Sequence, residues 1–168
     1  AFLLSRSSYL DLTSIDDIQL SSANVYALSE GSLCAIDKQD ESIRYYSKLN
    51  GLTGSAIRRI ACDPQTQSLL ISYEDGMFDL LSADQSIHSI ADLYLKQMNA
   101  SKQVQDVTFH NGMAYMAMPF GILALNMRKH EIRDTYYIGN EGAELPISTI
   151  NVWGDSLYAA SGNMVYQA

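Results

Sequence analysis

Three histidines, nineteen carboxylates and two cysteines are the side chains in this 168-residue chain that could carry acid–base, metal or nucleophilic chemistry. They are scattered. His88, His110 and His130 have no Ser or Cys beside them in a nucleophile motif, and no Gly-x-Ser-x-Gly occurs. His110 and His130 fall in predicted turns, where a solvated imidazole is ordinary. The adjacent pair Asp16-Asp17 reads as a solvated turn rather than an acid pair. Asp37-Lys38-Gln39-Asp40-Glu41 gathers three carboxylates in a hairpin turn, yet it lacks the glycine and the further oxygen ligands of a calcium loop. Asn50-Gly51-Leu52-Thr53-Gly54 has two glycines but no lysine and no following helix, so it is a connector rather than a phosphate cradle. Cys34 and Cys62 fall in different predicted strand groups without metal-ligand spacing. Two buried thiols are the plain reading and a disulfide the alternative. The expectation is a chain with no catalytic residue, no metal site and no cofactor.

What remains is binding chemistry. Arg128-Lys129-His130 with Arg133 is the one basic cluster in an acidic chain, and Tyr136-Tyr137 follows it. Together they could meet an anionic glycan or a carboxylate on a partner. The plain alternative is a charged hairpin end that keeps an outer strand soluble. Arg128, Lys129, Arg133, Tyr136 and Tyr137 are the candidate binding residues. The eleven tyrosines do not discriminate further, because Tyr favours both strands and interfaces.

Composition narrows the class. An apolar fraction of 47 % with 18 % charged residues describes a packed protein. A net charge of −8 opposes a general role on nucleic acid or simple docking on anionic lipid. No apolar run approaches the ~18 residues of a membrane-spanning helix. The chain begins without Met and ends at Gln167-Ala168, inside what reads as a structural repeat. It is therefore expected to be a fragment of a longer exported protein, with any leader removed.

The elements that must position these residues follow a repeat. Gly31, Gly76, Gly121 and Gly162 each follow an apolar strand, at steps of 45, 45 and 41 residues. Ile43, Ile87 and Ile132 keep the same phase, as do the pairs Ile57/Ile60, Val104/Val107 and Ile147/Ile150. A period of roughly 40–50 residues filled with short strands is the mark of propeller blades. Turn chemistry punctuates the strands. Glu74-Asp75-Gly76 and His110-Asn111-Gly112 read as two-residue hairpin turns. Runs such as Leu69-Leu70-Ile71 and Ala114-Tyr115-Met116-Ala117-Met118 are apolar throughout, as strands buried on both faces are. Ile87 to Leu93 and Glu131 to Ile138 read as outer strands, and 91–102 holds a weak helical pattern. Phe2 to Leu4 is a candidate strand for closing the ring. The fold class expected is all-β, a β-propeller of about four blades of four antiparallel strands, at 15–52, 53–95, 103–142 and 146–168, the last incomplete. The longest links, at 47–54, 92–102 and 139–146, should share one rim, where binding usually sits.

Family resemblance enters on specific strings. Tyr46 to Ile60, with its Asn50-Gly51-Leu52, resembles the regulator-propeller repeat that fills the sensor halves of hybrid two-component regulators in Bacteroidetes. Leu69 to Leu81, Phe120-Gly121-Ile122 and Glu131 to Gly139 resemble the first propeller of the PorZ family, surface proteins of the type IX secretion system. The order and spacing of these pieces fit along nearly the whole chain. That resemblance implies part of a ring of seven blades, and a non-enzymatic accessory role outside the cytoplasm, at the periplasm or cell surface and peripheral to the outer membrane. It implies protein partners in a secretion or attachment complex, the sortase among them, and delivery of anionic lipopolysaccharide. The alternative is an extracytoplasmic ligand-sensing propeller of a hybrid histidine kinase. A propeller lyase or oxidoreductase is the weakest reading, since no acid–base set is visible.

Overall fold

Strands of four to six residues joined by tight turns cannot make a thick core alone, and here they stack as separate sheets. The computed structural model describes residues 14–168. The first sheet is β1 (Asp17–Leu20), β2 (Asn24–Ser29), β3 (Ser32–Asp37) and β4 (Ile43–Tyr46). The second is β5 (Ile57–Cys62), β6 (Leu69–Tyr73), β7 (Phe78–Leu81) and β8 (Ile87–Ile90). The third is β9 (Asp106–His110), β10 (Met113–Met118), β11 (Gly121–Asn126) and β12 (Glu131–Tyr136). The fourth has three strands, β13 (Thr149–Trp153), β14 (Ser156–Ser161) and β15 (Met164–Gln167). Every strand pairs antiparallel with its sequence neighbour, so each sheet is one propeller blade. The proposed closing strand at Phe2 to Leu4 lies outside the described residues.

The core sits between blades, not within them. On β6, Leu69, Ile71 and Tyr73 face blade 1, and Leu70 faces blade 3. On β10, Ala114, Met116 and Met118 face blade 2, and Ala117 faces blade 4. Successive side chains point to opposite sides of a strand, so a middle strand with a neighbour on each side buries both of its faces. That explains the unbroken apolar runs.

The glycine column has one physical cause. Gly31, Gly76, Gly121 and Gly162 all sit at the turn between the second and third strands of their blades, each at positive φ. The chain leading to the next blade then crosses over that turn. Ile57 N–H donates to the Gly31 carbonyl, and Ile147 N–H to that of Met118. Gly121 is the tightest case: a Cβ there would run into the carbonyl oxygen of Tyr136. Gly162 has the same turn with open space around it.

Three boundaries differ from expectation. The Glu74-Asp75-Gly76 turn is a three-residue loop, closed by Tyr73 N–H to the Met77 carbonyl, with positive φ at Gly76 alone. The outer strand from Ile87 stops at Ile90, because Asp92–Leu95 winds into one helical turn (α1) that buries Leu93 between blades. The outer strand of blade 3 stops at Tyr136 and not Ile138. The His110-Asn111-Gly112 turn is as read, with both central residues at positive φ.

The rim carries a repeated clasp that residue types did not advertise. Glu41, Gln85 and His130 occupy the same place in the turn before each fourth strand, all at positive φ. Gln85 reaches back to blade 1, where its Oε1 accepts from Arg44 Nη1 (2.7 Å) and from Tyr46 Oη. His130 reaches back to blade 2 and stacks on His88, ring centroids 4.0 Å apart. Burial, then the charge of His88, holds the His130 imidazole below the ordinary histidine range.

Two tests follow from this packing. Gly121→Ala should destabilise the protein by more than ~2 kcal/mol, since positive φ and a backbone collision act together. Gly162→Ala, with the strain but no collision, should cost about 1 kcal/mol; equal losses in urea denaturation would contradict the crossing-chain explanation. The His130 direction fixes a pH slope. A depressed folded-state pKa means the unfolded chain binds more protons as pH falls, so stability is full above ~6.5 and is lost on acidification. The urea midpoint should fall between pH 7 and 5, and His130→Gln should flatten that fall; identical profiles in both proteins would remove the stack as its source.

Candidate interaction surface

The five candidate residues all lie on or beside one strand, β12, the outer edge of blade 3. The preceding turn is built by Asn126, whose Oδ1 accepts from the backbone N–H groups of Arg128 and Lys129 (3.0 Å each). That leaves both basic side chains exposed at one face of the disc. Arg133 is exposed in mid-strand, beside the irregularity in the β11–β12 register. The tyrosines are at the other end and diverge. Tyr137 turns toward blade 2, where its hydroxyl accepts from Lys96 Nζ (2.8 Å) and its ring tilts against Phe120 at 6.4 Å. Tyr136, 41 % exposed, turns toward blade 4. The strand and its turn thus place Arg128, Lys129 and Arg133 along an exposed edge, with the carboxylates of Glu131 and Asp134 exposed among them, while the tyrosines flank opposite sides of it. In the sequence repeat Arg133 aligns with Arg44 and His88, the residues clasped from the next blade, but the bulge pairs Asp134 in its place with Ala124.

Tyr136 opens a cleft that the sequence did not reveal. Tyr115, Ile122, Ile138 and Leu157 complete its largely apolar lining, in a volume of about 310 Å³ between blades 3 and 4. At one end His110 Nε2 stands 3.7 Å from Asp155. Tyr115 belonged to an apolar run, and only its facing direction on β10 places it here.

The links between blades share one rim, as expected. The first contains a 3-10 turn (Lys48–Asn50) closed reciprocally: Ser47 Oγ accepts from Leu49 N–H, and Asn50 Oδ1 accepts from Ser47 N–H. This braced turn holds Leu49 99 % exposed. The second link leaves Tyr94 and Leu95 exposed on α1.

One buried polar centre anchors the first link. Asp79 on β7 is wholly buried, and its carboxylate accepts from Tyr73 Oη (2.6 Å), Ser89 Oγ (2.6 Å), Thr53 Oγ1 (2.5 Å) and Thr53 N–H (2.8 Å). Burial, helped by the bond to Asp79, pushes the Tyr73 phenol far above its usual range. Four donors on one buried carboxylate satisfy it, and its chemistry is positional. Gly54 is required beside it, because a Cβ would strike the Tyr73 ring. The signal was present in sequence as a lone carboxylate in the apolar strand Phe78-Asp79-Leu80-Leu81.

The other singled-out groups have local duties. Asp37 Oδ1 caps the backbone N–H groups of Gln39 and Asp40, and Asp40 caps Ser42, so the acidic turn uses two carboxylates on its own backbone. Asp16 accepts from Glu30 N–H. Cys34 and Cys62 are free and buried, and burial pushes the Cys62 thiol up to about 11, away from nucleophilic character. Among the described residues no group of three or more His, Cys, Asp or Glu could hold a metal ion, and no helix is long and apolar enough to cross a membrane.

PorZ of Porphyromonas gingivalis, described as an essential bacterial surface component of the type IX secretion system, superposes with a TM-score of 0.83 at 19 % identity, over 94 % of this chain and 21 % of that one. The extracellular domain of a putative one-component system from B. thetaiotaomicron superposes with a TM-score of 0.72 at 14 % identity, over 95 % and 21 %. The computationally designed protein Ika4 matches at 0.64 and 9 % identity, over 96 % of this chain and 94 % of its own. The chain therefore spans about a fifth of the two natural proteins. No functionally curated protein matches it in sequence. The profile of the type IX secretion PorZ N-terminal β-propeller domain matches residues 25–168, six-sevenths of the chain, and the chain belongs to that family.

Proposed function

We propose that this propeller is a non-enzymatic binding platform in type IX protein secretion, exported and held at the periplasmic or outer surface of the outer membrane. The observation that carries the reading is the family match across all four blades. The surface supports it. The stacked blades expose cations at Arg128, Lys129 and Arg133, and apolar tips at Leu49, Tyr94 and Leu95. Cations on an otherwise acidic molecule steer an anionic partner to one edge. Apolar tips on braced loops suit a protein. The partners are proteins of a secretion or attachment complex, sortase-like ones included, with anionic lipopolysaccharide as the candidate for the basic edge and the flanking Tyr136 and Tyr137.

The likeness to a sensor's extracellular domain favours a second reading, a ligand-sensing propeller. The two part on what the gene encodes after this segment: a second propeller and a secretion-type C-terminal domain, or a membrane helix and a kinase.

A pull-down of the full-length protein from envelope extracts, with and without anionic lipopolysaccharide, tests the first reading. Capture of the lipopolysaccharide should fall on the order of tenfold in Arg128→Glu/Lys129→Glu/Arg133→Glu, and capture of protein partners should fall in Leu49→Asp, with melting temperatures unchanged. Full retention of every partner by both variants would move binding off this edge and rim.

A further inference from the structure

The inner strands β1, β5 and β9 are the edge strands of their blades, and three blades turn these edges into one hollow of about 420 Å³. It lies where a propeller has its central channel. Among the four inner strands, β5 alone carries an irregularity in register, between Ile57 and Arg59. A bulge of this kind re-aims a side chain, and here the re-aimed side chain is Arg59, which lines the hollow.

The Arg59 Nε is shielded from solvent and has no hydrogen-bond partner among the described residues. No carboxylate stands within ion-pairing distance of it among the described residues, although Asp17 and Asp106 line the same hollow. The two acids differ. Asp106 is committed to the next blade, accepting from Thr149 Oγ1 (2.7 Å) and Ile150 N–H (2.9 Å), with its other oxygen taken by Val107 N–H. Asp17 forms no ion pair with any other described residue. A guanidinium and a carboxylate therefore share one hollow, held apart, without each other as partners.

We propose that this hollow binds a small zwitterion of dipeptide size, its carboxylate on the Arg59 guanidinium and its ammonium on Asp17. A guanidinium at the wall of a hollow with no carboxylate paired to it among the described residues favours an oxyanion there. The planar fork of Arg matches a carboxylate with two parallel bonds. The volume falls in the range of small-molecule sites. Thr108 and Gln19 line the same hollow and add polar side chains to it. The site is separate from the basic outer edge and does not depend on the secretion reading.

Isothermal titration of the full-length protein with glycylglycine tests it, with N-acetylglycylglycine and glycylglycinamide as singly charged controls. Glycylglycine should bind, and each control at least about tenfold more weakly, as loss of one charge-assisted contact predicts. Arg59→Gln and Asp17→Asn should each weaken glycylglycine by a similar factor at unchanged melting temperature. Arg59→Lys, which keeps the charge and loses the fork, should fall between; with Asp17→Asn it carries the test if Arg59→Gln does not fold. No binding of glycylglycine, equal binding in the variants, or an N-acetylated control as tight as the parent would overturn the assignment.

Discussion

A sheet of four short strands has two faces and no third dimension, so it can be buried only by another sheet laid against each side. Every other feature here answers to that constraint. It makes β10 apolar at every position and β6 at every position but Ser72, since alternate residues serve different neighbours. It forces each chain segment that leaves a blade to cross the turn of that same blade. The glycines are the trace of that crossing in the sequence: each needs positive φ to turn, and where the next segment passes closest, as over Gly121, no Cβ fits.

This is why the architecture could be read from the chain and why parts of the surface could not. Stacking demands a fixed unit, and a fixed unit repeats its glycines, its outer-strand isoleucines and its inner-strand aliphatic pairs at a constant step. The misread boundaries were places where tertiary contact outweighed local pattern. The apolar neighbours of Leu93 predict a strand, but burial between blades is reached by a helical turn. Asp-Gly was read as a two-residue turn, but the Tyr73–Met77 bond closes a wider loop. The clasp residues Gln85 and His130 were invisible because positive φ is imposed on them by the turn rather than chosen by their side chains.

The candidate surface divides along the same line. Arg128, Lys129 and Arg133 could be found because charge clusters in an acidic chain stand out without any structure. The separation of Tyr136 from Tyr137 could not, because adjacent residues in a strand always face apart and only the neighbours give those faces meaning. The cleft behind Tyr136 and the hollow before Arg59 are assembled from different blades, with contributing residues tens of positions apart. Nothing local in the sequence joins them. Membership of the PorZ propeller family sets the biological frame, and the rim and edge residues say which parts of the disc face outward within it.

Asp79 has a consequence for assembly order. Similar wedges can in principle stack in the wrong sequence, or with a wedge borrowed from another molecule. The third-strand position that Asp79 occupies is Cys34 in blade 1 and Leu123 in blade 3, so of these three blades only blade 2 offers a carboxylate there to an arriving loop, and the loop carrying Thr53 answers it. A shuffled arrangement would strand that charge in a dry gap with too few donors. One polar lock in one blade thus acts as an address label, telling otherwise interchangeable units which neighbour is theirs.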